Sequence, residues 1–135
     1  MRKNVACFML LAFSLATSVS ACRAETKCRV QPTFFCDEFE ALAQKTPPDT
    51  LASLKATSKA DVVTLHATFG MHVRNSFGLW SENELTAFFR RNEVADPEAM
   101  SYVITLGFIG YLNNEAVDMI SLSKEALKPA PPQPQ

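Results

Sequence analysis

The sequence predicts an all-α protein, a small bundle of about five helices that follows a cleaved signal peptide. Apolar residues from residue 34 onward recur at helical spacing, several segments begin with typical capping residues, and no alternating strand pattern exceeds four residues. After removal of the leader, about 110 residues remain, which is enough for one compact domain and too few for two.

Residues 1–21 have the features of a lipoprotein-type export signal. Arg2 and Lys3 are positively charged, and residues 5–19 are uncharged and largely apolar. That stretch is too short for a spanning helix. Small residues then lead into Cys22, as in bacterial lipoproteins, and this resemblance implies lipidation of Cys22. We therefore expect an exported, periplasmic protein that is held at a membrane by its lipid anchor.

The cysteines are consistent with an oxidising compartment. Cys7 leaves with the leader, and Cys22 is either lipidated or removed, if cleavage follows Ala24. Both routes leave Cys28 and Cys36, so we predict a disulfide between them. Cleavage directly before Cys22 without lipidation would leave three cysteines, one of them unpaired. A metal site is disfavoured because no histidine or further cysteine lies nearby.

The mature chain divides into a tether at 22–33, a helical domain at 34–128 and a proline-rich tail at 129–135, which we expect to be disordered. The first helix spans residues 34–45, and a short second helix begins at a proline and spans residues 48–55.

The third and fourth helices each follow a capping box. Ser58 to Asp61 opens a helix that runs to about Asn75 and carries one apolar stripe: Val62, Leu65, Phe69 and Val73. Ser81 to Glu84 opens the next helix, whose inner face is Leu85, Phe88 and Phe89.

The fifth helix is the predicted centre of the bundle. Asp96 and Pro97 supply an N-cap and a first-turn proline, and the helix is apolar on most sides as far as about Leu112. Gly107 and Gly110 permit another backbone to approach closely. A last helix is predicted from about 115 to 127.

Charge and composition exclude several classes of function. From Glu25 onward there are 10 Lys and Arg against 14 Asp and Glu, a net charge of −4. A nucleic-acid binder requires a basic face, so we expect no nucleic-acid partner. The two histidines form no metal motif and no Gly-rich phosphate loop occurs, so no metal or cofactor is predicted.

The candidate binding site lies between residues 66 and 80. His66, Gly70 and Arg74 recur at four-residue intervals, which on one helix leaves a notch at the glycine beside two polar heads. Asn75 favours a helix end that returns Trp80 to the core. A notch with a cation, an imidazole and an aromatic wall suits a carboxylate or the end of a peptide.

Each of these residues also has a structural interpretation. His66 falls near the centre of the apolar stripe that contains Val62, Phe69 and Val73. A histidine in such a position is typically a core residue whose ring donates a hydrogen bond to a backbone carbonyl. Arg74 can pair with helix-terminal carbonyls or with acids, namely Glu82, Glu84 or Glu98. Trp80 has the residue type of a core position. Ser101 lies in the first turns of its helix, where a hydroxyl typically forms a hydrogen bond with a nearby backbone group.

Two segments resemble a family of uncharacterised bacterial proteins, a domain of unknown function. The first reads Arg-Asn-x-x-Gly-Leu-Trp from Arg74 to Trp80, and the second reads Pro-Glu-Ala-Met-Ser from Pro97 to Ser101. The resemblance extends from Pro48 to about Leu112. Glu98 stands where the family usually has Asp. The family implies no activity, and no catalytic residue is carried over.

The function that the sequence favours is a non-enzymatic binding module of the bacterial cell envelope with a protein or peptide partner. The alternative is a small hydrolase or transferase with His66 as general base, Ser101 as nucleophile and Arg74 as anion clamp. That alternative requires His66 and Ser101 to lie within about 3 Å of each other, or to be linked by one water.

Overall fold

The computed structural model describes residues 27–128, and these form a helical domain with one very short sheet. Its six α-helices are α1 (Phe34–Lys45), α2 (Pro48–Ala56), α3 (Phe69–Ser76), α4 (Glu84–Arg91), α5 (Pro97–Leu112) and α6 (Met119–Ala126). The all-α prediction is confirmed. The predicted signal peptide, the predicted lipidation site at Cys22 and the proline-rich tail lie outside the described residues. Within residues 27–128, no helix is both long enough and apolar enough to cross a membrane.

Helix α5 is the centre of the domain, as predicted. A 3₁₀ helix (Val62–Leu65), α2, α3 and α6 pack against it, and four of its apolar side chains are completely buried: Met100, Val103, Ile104 and Phe108. The Asp96 carboxylate accepts a hydrogen bond from the Ala99 amide (2.9 Å), and Pro97 occupies the first turn. The sequence therefore identified both the start and the central position of this helix.

The glycines of α5 face side chains rather than another backbone. A Cβ at Gly107 would clash with the Met119 sulfur and lie 3.1 Å from the Phe39 ring. A Cβ at Gly110 would lie 2.6 Å from a methyl of Val117. The predicted close approach is present, but its partners are the side chains of Phe39, Val117 and Met119.

The segment predicted as a tether contributes to the fold. Strand β1 (Val30–Gln31) pairs in parallel with β2 (Val117–Asp118), with Val30 opposite Val117. Val30 is completely buried, and the predicted disulfide between Cys28 and Cys36 joins this strand to α1. Since a two-residue strand is too short to show an alternating pattern, the sequence analysis missed it.

The predicted helix from residue 58 to 75 is interrupted. Val62–Leu65 forms a 3₁₀ helix, residues 66–68 form a turn, and α3 begins only at Phe69. The Ser58 hydroxyl donates to the Asp61 carboxylate (2.6 Å) and does not cap the backbone. Thr64 and Thr68 donate to the carbonyls three residues earlier. Such local bonds compete with the α-helical ladder.

Two other helix starts were predicted too early. Helix α4 is capped by Asn83, whose side chain accepts from the Thr86 amide (2.9 Å) while the Thr86 hydroxyl accepts from the Asn83 amide. The capping box therefore lies two residues after the predicted one at Ser81. Helix α6 begins at Met119, since residues 117–118 are held in β2.

Candidate functional site

A cavity of about 500 Å³ lies between the 3₁₀ helix and the first half of α5. We call it the α5 cavity. Its apolar wall consists of Val62, Val63, Leu65, Ala99, Tyr102 and Ala126. Its polar lining consists of His66, Asp96, Glu98, Ser101 and Thr105, and Gly70 adds bare backbone. A concave, mainly apolar surface with a few polar groups is the usual form of a ligand site.

His66 lies at the edge of this cavity and not in the core. The turn that ends the 3₁₀ helix places its side chain partly in solvent, where 48% of it is exposed. Its Nε2 atom lies 3.7 Å from a carboxylate oxygen of Glu98. The core-histidine interpretation is therefore wrong, because the helix on which it depended is interrupted at this residue.

Arg74 is buried, with 4% of its surface exposed. Its Nη1 donates to the Ser101 hydroxyl (3.0 Å) and its Nη2 to the His66 carbonyl oxygen (3.3 Å). Nε has no hydrogen-bond partner among residues 27–128. In the same part of the chain, no carboxylate lies within 4.0 Å of the guanidinium, so the predicted acidic partners are not used.

Within residues 27–128, the Arg74 guanidinium thus has only neutral hydrogen-bond partners. A guanidinium cannot lose its proton in a protein, and removing a charge from water costs several kcal/mol unless it is paired. The Trp80 ring, whose centroid is 5.9 Å from the guanidinium carbon, supplies part of the compensation.

The Ser101 hydroxyl is bonded locally, as the structural interpretation predicted. It accepts from Arg74 and donates its one proton to the Glu98 backbone oxygen (2.8 Å). No hydrogen bond joins it to the His66 ring within the described residues. A nucleophilic serine needs an adjacent base to take its proton, and here the proton is directed to a carbonyl.

Trp80 and Asn75 lie outside the α5 cavity. Trp80 is 66% exposed, so its interpretation as a core residue is wrong. Helix α3 ends at Ser76, and Gly78 takes a left-handed conformation (φ 57°) in the turn that follows. The predicted return of Trp80 to the core does not occur, because this turn leaves the indole exposed, with its ring 5.9 Å from the guanidinium carbon of the buried Arg74.

Gly70 provides the predicted notch through a different geometry. It lies in the first turn of α3 and faces the cavity, whereas His66 belongs to the preceding turn. A Cβ at Gly70 would lie 3.3 Å from Arg74 Nη1 and 3.7 Å from Ser101 Oγ. The absent side chain leaves these two polar groups directly behind the cavity wall.

Most of the apolar wall of the α5 cavity could not be recognised from the sequence. Val63, Tyr102 and Ala126 come from three separate elements, and no local pattern brings them together. The one available signal in the sequence was the pair of adjacent valines at 62–63. Only one of two neighbours on an amphipathic segment faces the core, so the other valine must face outward. Among the described residues, no group of three or more His, Cys, Asp or Glu side chains is placed to hold a metal ion.

The Arg74–Ser101 hydrogen bond joins the segment at residues 74–80 to the segment at residues 97–101. Comparison with curated proteins found no match, and neither did comparison with solved structures. The chain does match the model of the family described as domain of unknown function DUF6794, over residues 32–112. Because this match covers more than half of the 135 residues, the chain belongs to the DUF6794 family.

Proposed function

We propose that this protein is a non-enzymatic binding module of the bacterial cell envelope that holds a protein or peptide partner in the α5 cavity. The observation that carries the proposal is the combination of a mainly apolar cavity of about 500 Å³ with a buried arginine that has no acidic partner in residues 27–128. A cavity of this size is within the range of small-ligand sites.

The mouth of the α5 cavity supports a binding role. Val63 lines it and is 63% exposed. Exposure of a β-branched side chain beside a cavity is unfavourable in the free protein, and a partner that covers it gains the hydrophobic free energy of its burial. The net charge of −4 from Glu25 onward favours a protein partner over a nucleic acid.

Export is part of the proposal. It rests on the leader at residues 1–21 and on Cys22 as the site of lipidation, and the Cys28–Cys36 disulfide is compatible with an oxidising compartment. Mass spectrometry of the mature N-terminus tests it. A lipidated Cys22 is the expected result, and an intact leader in the purified protein would contradict export.

The binding role is tested by site-specific photocrosslinking. A benzophenone side chain at position 63 of the full chain is expected to form an adduct in envelope extract. The same group in place of the exposed Lys45 is expected to form no adduct. Ala126→Phe, which narrows the cavity from α6, is expected to abolish the adduct. An adduct that persists in Ala126→Phe, or equal adducts at both positions, would argue against the cavity as the binding site.

A hydrolase or transferase is the second candidate, because His66, Glu98 and Ser101 line one cavity and the imidazole lies 3.7 Å from the carboxylate. The donation of the Ser101 proton to a backbone oxygen disfavours it. Activity-based labelling with a fluorophosphonate decides: labelling that Ser101→Ala abolishes would establish the enzyme and end the binding proposal.

A further inference from the structure

Two carboxylates give the α5 cavity an acidic rim. Asp96 and Glu98 line the cavity, and no lysine or arginine of the described residues does. The buried hydroxyls of the lining are already committed to the backbone. Ser101 donates its one proton to the Glu98 carbonyl oxygen, and Thr105 donates to the Ser101 carbonyl oxygen (2.7 Å). The lining therefore offers negative charge at its rim and little to an anionic ligand.

The two carboxylates of the rim have no strong cationic partner. One oxygen of Asp96 accepts from the Ala99 amide (2.9 Å), which caps α5 and leaves the other oxygen available. Within residues 27–128, no lysine or arginine lies within 4.0 Å of either carboxylate. The His66 ring is 3.7 Å from an oxygen of Glu98, which is beyond hydrogen-bond distance. Both acids are exposed, so a ligand in the cavity can reach them.

The buried Arg74 favours the rim as the place of a cation. Its guanidinium does not line the cavity but lies behind the part of the wall that Gly70 and Ser101 form. Like charges repel more strongly in a protein than in water. A positively charged group is therefore disfavoured beside Gly70 and favoured at the exposed carboxylates.

We infer, on the basis of the proposed function, that the partner protein places a basic side chain, a lysine or an arginine, in the α5 cavity. Its aliphatic stem packs on Val63 and Tyr102, and its cationic head binds the carboxylates of Asp96 and Glu98. Such side chains typically lay the stem on apolar surface while the head stays near water. Glu98 precedes Tyr102 by about one helical turn, a distance that the stem can span.

The surroundings of the cavity favour a protein segment over a free amine. A second cavity of about 70 Å³ shares Tyr102 and Ala126 with the α5 cavity and is otherwise lined by Lys59, Leu106, Leu122 and Glu125. It lies further along α5, away from the acidic rim, so the chain that carries the basic side chain has a partly apolar path over the surface. The net charge of −4 from Glu25 onward also attracts a basic partner.

The experiment compares side chains of similar length with and without a charge. Blocked pentapeptides with lysine, norleucine, arginine or citrulline between two leucines are titrated into the full-length protein, and the methyl resonances of Val63 and Ala126 report binding. At least one basic peptide is expected to bind five-fold or more tightly than its neutral counterpart. Hexylamine, a cation without peptide groups, is expected to bind at least five-fold more weakly than that peptide.

The double variant Asp96→Asn/Glu98→Gln tests the acidic rim. Asparagine retains the oxygen that caps α5, and the loss of both charges is expected to remove the preference for the basic peptide. Exposed ion pairs are individually weak, so both carboxylates are changed together. Asp49→Asn/Glu84→Gln is the matched control, because it removes two carboxylates from the first turns of α2 and α4, outside the cavity. It is expected to keep the preference.

The contrary outcomes separate this inference from the proposed function. Equal binding of basic and neutral peptides that Ala126→Phe abolishes would overturn the basic anchor and leave the cavity as a binding site. A preference that persists in Asp96→Asn/Glu98→Gln, or that the control also loses, would overturn the role of the rim. Hexylamine as tight as the best peptide would overturn the protein segment. Absence of binding by every peptide would also overturn the inference, whereas the position-63 crosslink judges the proposed function separately.

Discussion

Arg74 is the residue with the most unusual environment in the described domain. Its charge is buried, its hydrogen bonds go to a hydroxyl and a carbonyl, and one N–H is unsatisfied. Removing the neutral partner of a buried charge leaves that charge uncompensated and costs far more than removing the charge itself or replacing both groups by apolar ones. This asymmetry gives an experimental test of whether the arginine is retained for stability or for ligand binding.

We expect Arg74→Met to leave the free energy of unfolding unchanged within about 1 kcal/mol or to raise it, since an apolar side chain of similar length replaces an unpaired charge. Ser101→Ala removes the acceptor of Nη1 and is expected to cost about 1–3 kcal/mol. In the double variant that cost is expected to shrink. Urea denaturation of the four proteins measures the cycle, and a loss above about 3 kcal/mol in Arg74→Met alone would show that the arginine stabilises the fold.

At the scale of elements, the domain depends on the contact of α5 with β2 and α6. Gly107 and Gly110 place the helix close to Met119 and Val117, so the side chains of one segment fill the space that the other leaves. Met119 is completely buried there. The helical penalty of two glycines, about 1 kcal/mol each, is offset by this close packing.

Gly107→Ala is expected to lower the free energy of unfolding by about 1–3 kcal/mol, because overpacking against Met119 and Phe39 exceeds the gain in helix propensity. Combination with Met119→Ala provides the space and is expected to cancel the added cost of the alanine. Thermal and urea unfolding measure both. A stabilised Gly107→Ala would show that α5 and α6 can separate without loss.

We expect the start of α6 to lose stability in acid because of its capping residue, Asp118. The Asp118 carboxylate accepts from the Ser121 hydroxyl (2.6 Å) and the Ile120 amide (3.0 Å). The Ser121 hydrogen bond, above all other contacts, lowers the pKa of Asp118 below its ordinary value. A carboxyl with a lowered folded-state pKa contributes stability that is complete above the unfolded pKa of about 3.9 and is lost as the pH falls through the folded value.

Asp118→Ala is therefore expected to cost about 1 kcal/mol at neutral pH, the usual value of a helix cap, and less as the pH falls below about 3.9. Asp118→Asn retains a capping oxygen and is expected to show a smaller loss at neutral pH. This loss also shrinks in acid, because the titrating carboxyl belongs to the unmutated protein and is absent from both variants. Urea denaturation across this pH range measures the difference, with Asp49→Asn in the first turn of α2 as control. A pH-independent loss in Asp118→Ala would contradict the assignment.

Across the whole molecule, the sequence predicted the elements whose signals are local. The Asp96–Pro97 start of α5 and the Cys28–Cys36 disulfide required only nearby residues, and both predictions are confirmed. The pairing of Val30 with Val117 joins positions far apart in the chain and could not be predicted.

The candidate site was predictable only in part, for a related reason. The spacing of His66, Gly70 and Arg74 identified a polar notch at the glycine, but the threonine hydroxyls interrupt the helix on which that spacing was interpreted. Trp80 has the residue type of a core position, yet the turn at Gly78 leaves it exposed. The apolar wall of the α5 cavity depends on tertiary packing alone.

The Cys28–Cys36 disulfide links the segment just before β1 to α1, and β1 pairs with β2 near the end of the described chain. The two cysteines are 8 residues apart in the sequence, and the chain-entropy model gives about 2.5 kcal/mol of stabilisation for a loop of this length.

Reduction of the disulfide is expected to lower the free energy of unfolding by about that amount. The helical circular dichroism is expected to persist, since the α5 core contains no cysteine. The Val117 amide donates to the Arg29 carbonyl (2.9 Å), so hydrogen exchange is expected to accelerate there and not at Ile104. A Cys28→Ser/Cys36→Ser double variant is the control, because reductant should leave it unchanged. If the Val117 amide kept its protection in the reduced protein, the strand pair would be stable without the disulfide.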